Sequence, residues 1–163
     1  MPAEELIIAD SSPLIGLARI GQLVVLPRLA KRVVVPLAVH AEVTAARANA
    51  PGAAEVAAQA WIEVQAADPA VVAPLLILVG RGEAEAIALA QRESGAVLLM
   101  DDLRARKLAQ RLGLRRMGTV ALLGQAKRGR LIPELRPALN ALVAQGIYIR
   151  RELIDAALSE AGE

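Results

Sequence analysis

Leu6-Ile7-Ile8-Ala9-Asp10-Ser11-Ser12-Pro13 and Ala96-Val97-Leu98-Leu99-Met100-Asp101-Asp102 share one plan: an unbroken apolar run, an aspartate, then residues that start a helix. Neither run alternates polar with apolar residues, so each reads as a strand that is dry on both faces. After Asp10, a capping hydroxyl and Pro13 at a first helical position open a helix. After the second run, Asp102 to Leu112 reads as another helix with Asp101 as its cap. Val33-Val34-Val35-Pro36 repeats the plan with a β-branched run closed by proline, followed by an alanine-rich helix from Leu37 to Arg47. Gly82 precedes a further helix, Glu83 to Glu93, which Gly95 ends. Strands dry on both faces and separated by helices need crossovers that cover a sheet. The expected fold is therefore α/β, a three-layer α/β/α sandwich with a mostly parallel central sheet.

The rest of the chain is less regular. Pro51-Gly52 breaks it, Ala53 to Ala60 reads as helix, Trp61-Ile62-Glu63-Val64 as a short strand, and Pro69 to Val79 fits either state. Helices follow from Thr119 to Lys127 and from Pro133 to Gln145, then a short strand at Ile147-Tyr148-Ile149 and a closing helix from about Arg151. A chain of 163 residues, 55% of them apolar, suffices for one sizeable core and is short for two. Residues 1–163 are expected to form a single domain, with its core at about 6–130 and a helical segment at about 131–163.

The inventory of reactive side chains removes several chemistries. With no cysteine and one histidine, His40, the chain cannot build a disulfide scaffold, a structural zinc site, a Cys-His nucleophile pair or a two-histidine ribonuclease. The acidic start, Met1 to Glu5, lacks the basic character of a signal peptide, and Val71 to Val79, broken by Pro74, is too short to span a bilayer. A soluble, cytoplasmic protein without membrane contact is the expectation. Charge is divided unevenly: residues 1–103 carry 7 basic and 12 acidic side chains, residues 104–163 carry 12 basic and 5 acidic. That division suits an acidic site facing a basic surface, and it equally suits helices solvated by Arg and Lys. Six of the thirteen residues from Arg104 to Arg116 are basic, which makes Arg104, Arg106 and Lys107 candidates for phosphate contacts. Trp61 and Tyr148 are the only aromatic residues, so no stacking platform for single-stranded bases is readable.

Carboxylates remain in number. Ligands of an open α/β sheet bind beyond the carboxyl ends of the strands, and Asp10 and Asp101 fall there by topology alone. Glu42 interrupts a helix face made by Ala38, Val39, Ala45 and Ala46, so it snorkels or meets a cation. Glu83 continues the face of Ala86, Ile87 and Ala90 and is the better inward candidate than Glu85. Taken singly, each acid also reads as a helix cap or a first-turn residue in the helix dipole. Four carboxylates about 5 Å apart would repel by roughly 3 kcal/mol per pair at an effective dielectric near 20. Such a group must take up protons or bind a divalent cation, and oxygen-only ligands select Mg²⁺ or Mn²⁺.

Ile8-Ala9-Asp10-Ser11-Ser12-Pro13-Leu14-Ile15, Val35-Pro36 with Glu42, Gly82-Glu83-Ala84-Glu85-Ala86-Ile87-Ala88-Leu89-Ala90, and Leu99-Met100-Asp101-Asp102 with Arg106 together resemble the PIN-domain superfamily. The likeness is to its small prokaryotic branch close to the VapC toxins and covers about residues 6–130. The resemblance implies a Mg²⁺- or Mn²⁺-dependent endoribonuclease, the toxin of a toxin–antitoxin pair, with a small antitoxin protein as partner and a homodimer as its state. Carried over by position, Asp10, Glu42, Glu83 and Asp101 form the metal-binding quartet. Asp102 and Glu85 stand one or two places away as substitutes, since relatives that place Thr-x-Asp after this strand favour Asp102. Ser12 either donates to a ligand carboxylate or caps its helix. His40, two residues from Glu42, points away from it as a surface or supporting residue. A haloacid-dehalogenase-like phosphatase would carry an aspartate where Ser12 stands. A non-catalytic interaction module and a housekeeping RNA-processing nuclease remain as alternatives.

Overall fold

The computed structural model describes residues 4–45 and 50–163. Its centre is a fully parallel five-stranded sheet of β1 (Glu4–Ala9), β2 (Ala30–Pro36), β3 (Ile62–Gln65), β4 (Val97–Leu99) and β5 (Arg115–Met117), in the order β3-β2-β1-β4-β5. β1 is the middle strand, with Ile7 in register with Val33 on one side and with Val97 on the other. The chain steps outward from β1 to β2 and β3, then returns across the sheet to build β4 and β5. This reversal opens a crevice at the carboxyl ends of β1 and β4.

Alternation along the strands divides the core in two. Ile7, Ala9, Val33, Val35, Val97 and Leu99 point to one face. There they meet α1 (Ser11–Arg19), α2 (Val25–Leu29), α3 (Leu37–Ala45), α8 (Thr119–Arg128), α9 (Arg136–Ala144) and α10 (Arg151–Ala161). Leu6, Ile8, Val34, Leu98 and Met100 point to the other face, against α6 (Arg81–Arg92) and α7 (Leu103–Arg111). The expected three-layer sandwich is the observed one. Two short helices lie at the margins: α4 (Ala53–Ala57), and α5 (Pro69–Leu75), whose Val72 packs against Ala84 and Ala88 of α6. Among the described residues, no helix is long and apolar enough to cross a membrane.

Several boundaries differ from the sequence reading for physical reasons. The helix expected over Leu37 to Arg47 runs to Ala45, and 46–49 lie outside the described residues. The helix opened at Ala53 ends at Ala57, so that Trp61 leads into β3. The undecided stretch at 69–79 begins as helix because Pro69 occupies a first-turn position and the Asp68 carboxylate accepts from the Ala70 amide at 2.9 Å. Ile147-Tyr148-Ile149 is not a strand: Ile147 and Ile149 pack onto the helical layer and Tyr148 is exposed, an in-out-in pattern with no sheet edge beside it. β5 escapes sequence reading because Arg115-Arg116-Met117 is a charged edge strand with no apolar run. Its Arg115 is paired with Glu4 of β1 at 3.0 Å.

Leu98 is fully buried and Leu103 is 63% exposed. Leu98→Ala is expected to lower the unfolding free energy by about 2–5 kcal/mol, and Leu103→Ala to change it by no more than about 0.5 kcal/mol. Urea denaturation of the two variants measures both values.

Candidate metal centre

Asp10 leaves β1 at the crevice, and its backbone N–H donates to the Leu99 carbonyl at 2.9 Å, which holds it level with the end of β4. The residue is 3% exposed. It heads α1 without capping it, so its carboxylate is free to face the crevice. Glu42, Glu83 and Asp101 all act electrostatically on it.

The Asp101-Asp102 doublet has divided its duties, and the division corrects the sequence reading. Asp102, not Asp101, caps α7, accepting from the Ala105 amide at 2.9 Å. Asp101 instead reaches across to the start of α8. There Oδ1 accepts from the Thr119 amide at 2.8 Å and Oδ2 from the Thr119 hydroxyl at 2.6 Å. The physical reason is that the chain leaves β4 beside β5, which brings the α8 N-terminus and its unpaired amides to Asp101 before α7 begins.

The two glutamates of α6 are separated in the same way. Glu83 is half-buried in the first turn, with its carboxylate folded over Gly80 toward the crevice. Glu85 is spent on structure: it accepts from the Ala38 amide at 2.9 Å, near the N-terminus of α3, and lies 3.9 Å from Arg81. Val39 and Val43 form the buried face of α3, and Glu42 is exposed, as a snorkelling glutamate is.

Glycine allows these elements to approach. A Cβ on Gly82 would lie 3.1 Å from Val39, 3.3 Å from Asp10 Oδ1 and 3.7 Å from Glu42 Oε2, so α6 presses its first turn against both acids at this point. A Cβ on Gly118 would lie 2.9 Å from Asp101 Oδ1 and 3.5 Å from the Arg106 guanidinium. Arg106 thus sits half-buried beside Asp101, whereas Arg104 and Lys107 are exposed. Ser12 is exposed on the first turn of α1, and among the described residues its hydroxyl bonds to none of the acids.

Burial pushes the Asp10 carboxyl up to about 7, and the charges of Glu83, Glu42 and Asp101 add to the shift against the pull of the Ser11 amide. An acid in this position lacks a countercharge. The surrounding donors are all carboxylate oxygens, which suit a hard divalent cation such as Mg²⁺ or Mn²⁺ and not zinc. Among the described residues, no three acids already surround a common point. Mg²⁺ needs only one or two carboxylates because it retains several waters.

A PIN-domain family model matches residues 6–163. The chain belongs to the PIN-domain family. Among curated proteins none matches it. The PIN fold is generally that of metal-dependent nucleases, which agrees with a buried Asp10 on which three further carboxylates act. Sequence reading gave Gly118 and Thr119 no part in the site of this PIN domain. Gly118-Thr119 ahead of an apolar helix was a readable helix start. Its pairing with Asp101, 18 positions earlier, was not.

Two outcomes are expected. Because the folded Asp10 carboxyl is raised from 3.8 to about 7, the metal-free protein loses stability as pH climbs between those values. Asp10→Asn then stabilises it above pH 7 and has no such effect below 3.8, which melting curves across pH in EDTA will show. Thr119→Val removes the bond to Asp101 Oδ2 and is expected to cost about 1 kcal/mol, with Thr119→Ser close to the parent by urea denaturation.

Proposed function

We propose that this PIN domain is a Mg²⁺- or Mn²⁺-dependent endoribonuclease that hydrolyses RNA phosphodiester bonds. The observation that carries the reading is the buried Asp10, with the charges of Glu42, Glu83 and Asp101 acting on it and no cation paired to it among the described residues. These four acids are the proposed ligand set. Glu85 and Asp102, bonded to the Ala38 and Ala105 amides, stand outside the set; Asp101 also accepts from an amide and is kept because its charge acts on Asp10.

A bound divalent cation supplies neutralisation of the charge that builds at phosphorus and makes water acidic enough to attack near neutral pH. The chain's own residues provide the rest. Asp10, held rigidly between two strands, gives the site a fixed anchor. Thr119 fixes both oxygens of Asp101, so that ligand enters already oriented. Arg104 and Lys107 stand on the exposed side of α7 next to the crevice, where they attract phosphate without reading bases. The attacking water is oriented by carboxylates, and neither His40 nor a thiol enters the scheme.

The toxin role, an antitoxin partner, the homodimer and the cytoplasmic setting are proposals that rest on the resemblance to the VapC-like branch. The toxin role predicts that expression alone arrests growth of a host cell and that Asp10→Asn relieves the arrest. A host that grows normally while the purified protein cleaves RNA would favour a processing nuclease.

The decisive experiment is incubation of a mixed structured RNA pool with the purified protein in Mg²⁺, Mn²⁺ or EDTA. Cleavage is expected with either metal, none in EDTA, and a loss of about a hundredfold or more in Asp10→Asn and Asp101→Asn. Absence of cleavage, together with absence of Mn²⁺ binding by calorimetry, would overturn the reading in favour of an interaction module.

A further inference from the structure

An open cleft of about 640 Å³ lies between the segment joining α5 to α6 and the first turns of α7. Its volume falls within the range of small-ligand sites, about 300–1,000 Å³. Glu83 and Asp102 line it as acids, Leu76, Ile77, Leu78 and Leu103 as aliphatic side chains, and Arg104 and Lys107 as cations. The four aliphatic residues are at least 37% exposed, and Ile77 is 85% exposed. Arg104 and Lys107 are three residues apart on α7 and so share one face of that helix, and neither forms an ion pair among the described residues.

We infer that this cleft is a subsite for one unpaired nucleotide of the strand being cut, its base resting on the Ile77 ledge and its phosphate held by Arg104 and Lys107. The inference rests on the nuclease reading for its occupant, and three features of the cleft select that occupant. First, Glu83 belongs both to the carboxylate group around Asp10 and to the cleft wall, so a strand crossing the acids has its next residue here. Second, an aliphatic surface beside paired cations matches the apolar face and anionic link of a nucleotide. Third, a base face is available to such a ledge only when it is unstacked, which a duplex does not permit. The ledge thus does with aliphatic side chains what aromatic residues do elsewhere in single-strand binding.

The test is fluorescence anisotropy of the full chain in EDTA, where cleavage is stopped, using a labelled mixed-sequence octaribonucleotide alone or annealed to its complement. The single strand is expected to bind several-fold more tightly than the duplex. Ile77→Ser, at a site too exposed to disturb the core, is expected to weaken single-strand binding roughly fivefold with an unchanged salt slope. Arg104→Gln with Lys107→Gln should flatten the slope of log affinity against log salt by about 0.7 for each phosphate that is no longer neutralised. Equal binding of duplex and single strand, or an Ile77→Ser variant that binds as the parent does, would overturn the subsite. An added apolar peptide that binds the ledge and leaves octamer binding unaffected would overturn it as well, assigning the ledge to a protein partner. The two readings fail separately. Metal-dependent cleavage with no effect of Ile77→Ser removes the subsite and keeps the nuclease, whereas the expected binding pattern with neither cleavage nor Mn²⁺ binding removes the nuclease and leaves the cleft as a single-strand binding site only.

Discussion

Uncompensated negative charge at the carboxyl end of β1 is what the surrounding architecture both creates and tolerates. Asp10 is 3% exposed, is tied by its amide to the Leu99 carbonyl of β4, and has three further acids acting on it. Removing a carboxylate from water costs several kcal/mol unless a proton or cation replaces the hydration. The raised Asp10 carboxyl is the proton form of that compensation, and a divalent cation is the other. The rigid sheet is needed because a carboxylate on a mobile loop would turn to solvent and regain its hydration.

The same region shows how polar groups near one another are assigned separate tasks. Asp101 and Asp102 are adjacent in sequence, and Glu83 and Glu85 nearly so. Asp102 accepts from the Ala105 amide and Asp101 from the Thr119 amide, while of the two glutamates Glu85 accepts from the Ala38 amide. These bonds fix the start of α7, tie Asp101 to α8 and tie α6 to α3. Thr119 adds a further constraint by engaging both oxygens of Asp101. The two close approaches at Gly82 and Gly118 allow the helices to come near enough, since a methyl at Gly118 would lie 2.9 Å from a carboxylate oxygen.

Outside the acidic centre the surface changes character within one helical turn. α7 presents Asp102 at its cap, Leu103 at its start and Arg104 and Lys107 further along the cleft. Carboxylates, aliphatic side chains and cations therefore line one cleft.

The apolar runs before Asp10 and Asp101 were enough to read the parallel sheet, because a strand dry on both faces has few alternatives and its period is local. Asp10 and Asp101 as crevice residues followed from the same local fact. What sequence alone did not carry were properties that depend on which segments meet. β5 has no apolar signature, Ile147-Tyr148-Ile149 alternates without a sheet to join, and the exposure of Glu42 is set by the packing of Val39 and Val43. Which amides Asp101, Asp102 and Glu85 bond depended on which segments meet. Local patterning determined the strands and the acids that end them; tertiary contact decided the bonds of Asp101 and Glu85, because hydrogen-bond partners 18 and 47 positions apart are brought together only by the folded chain.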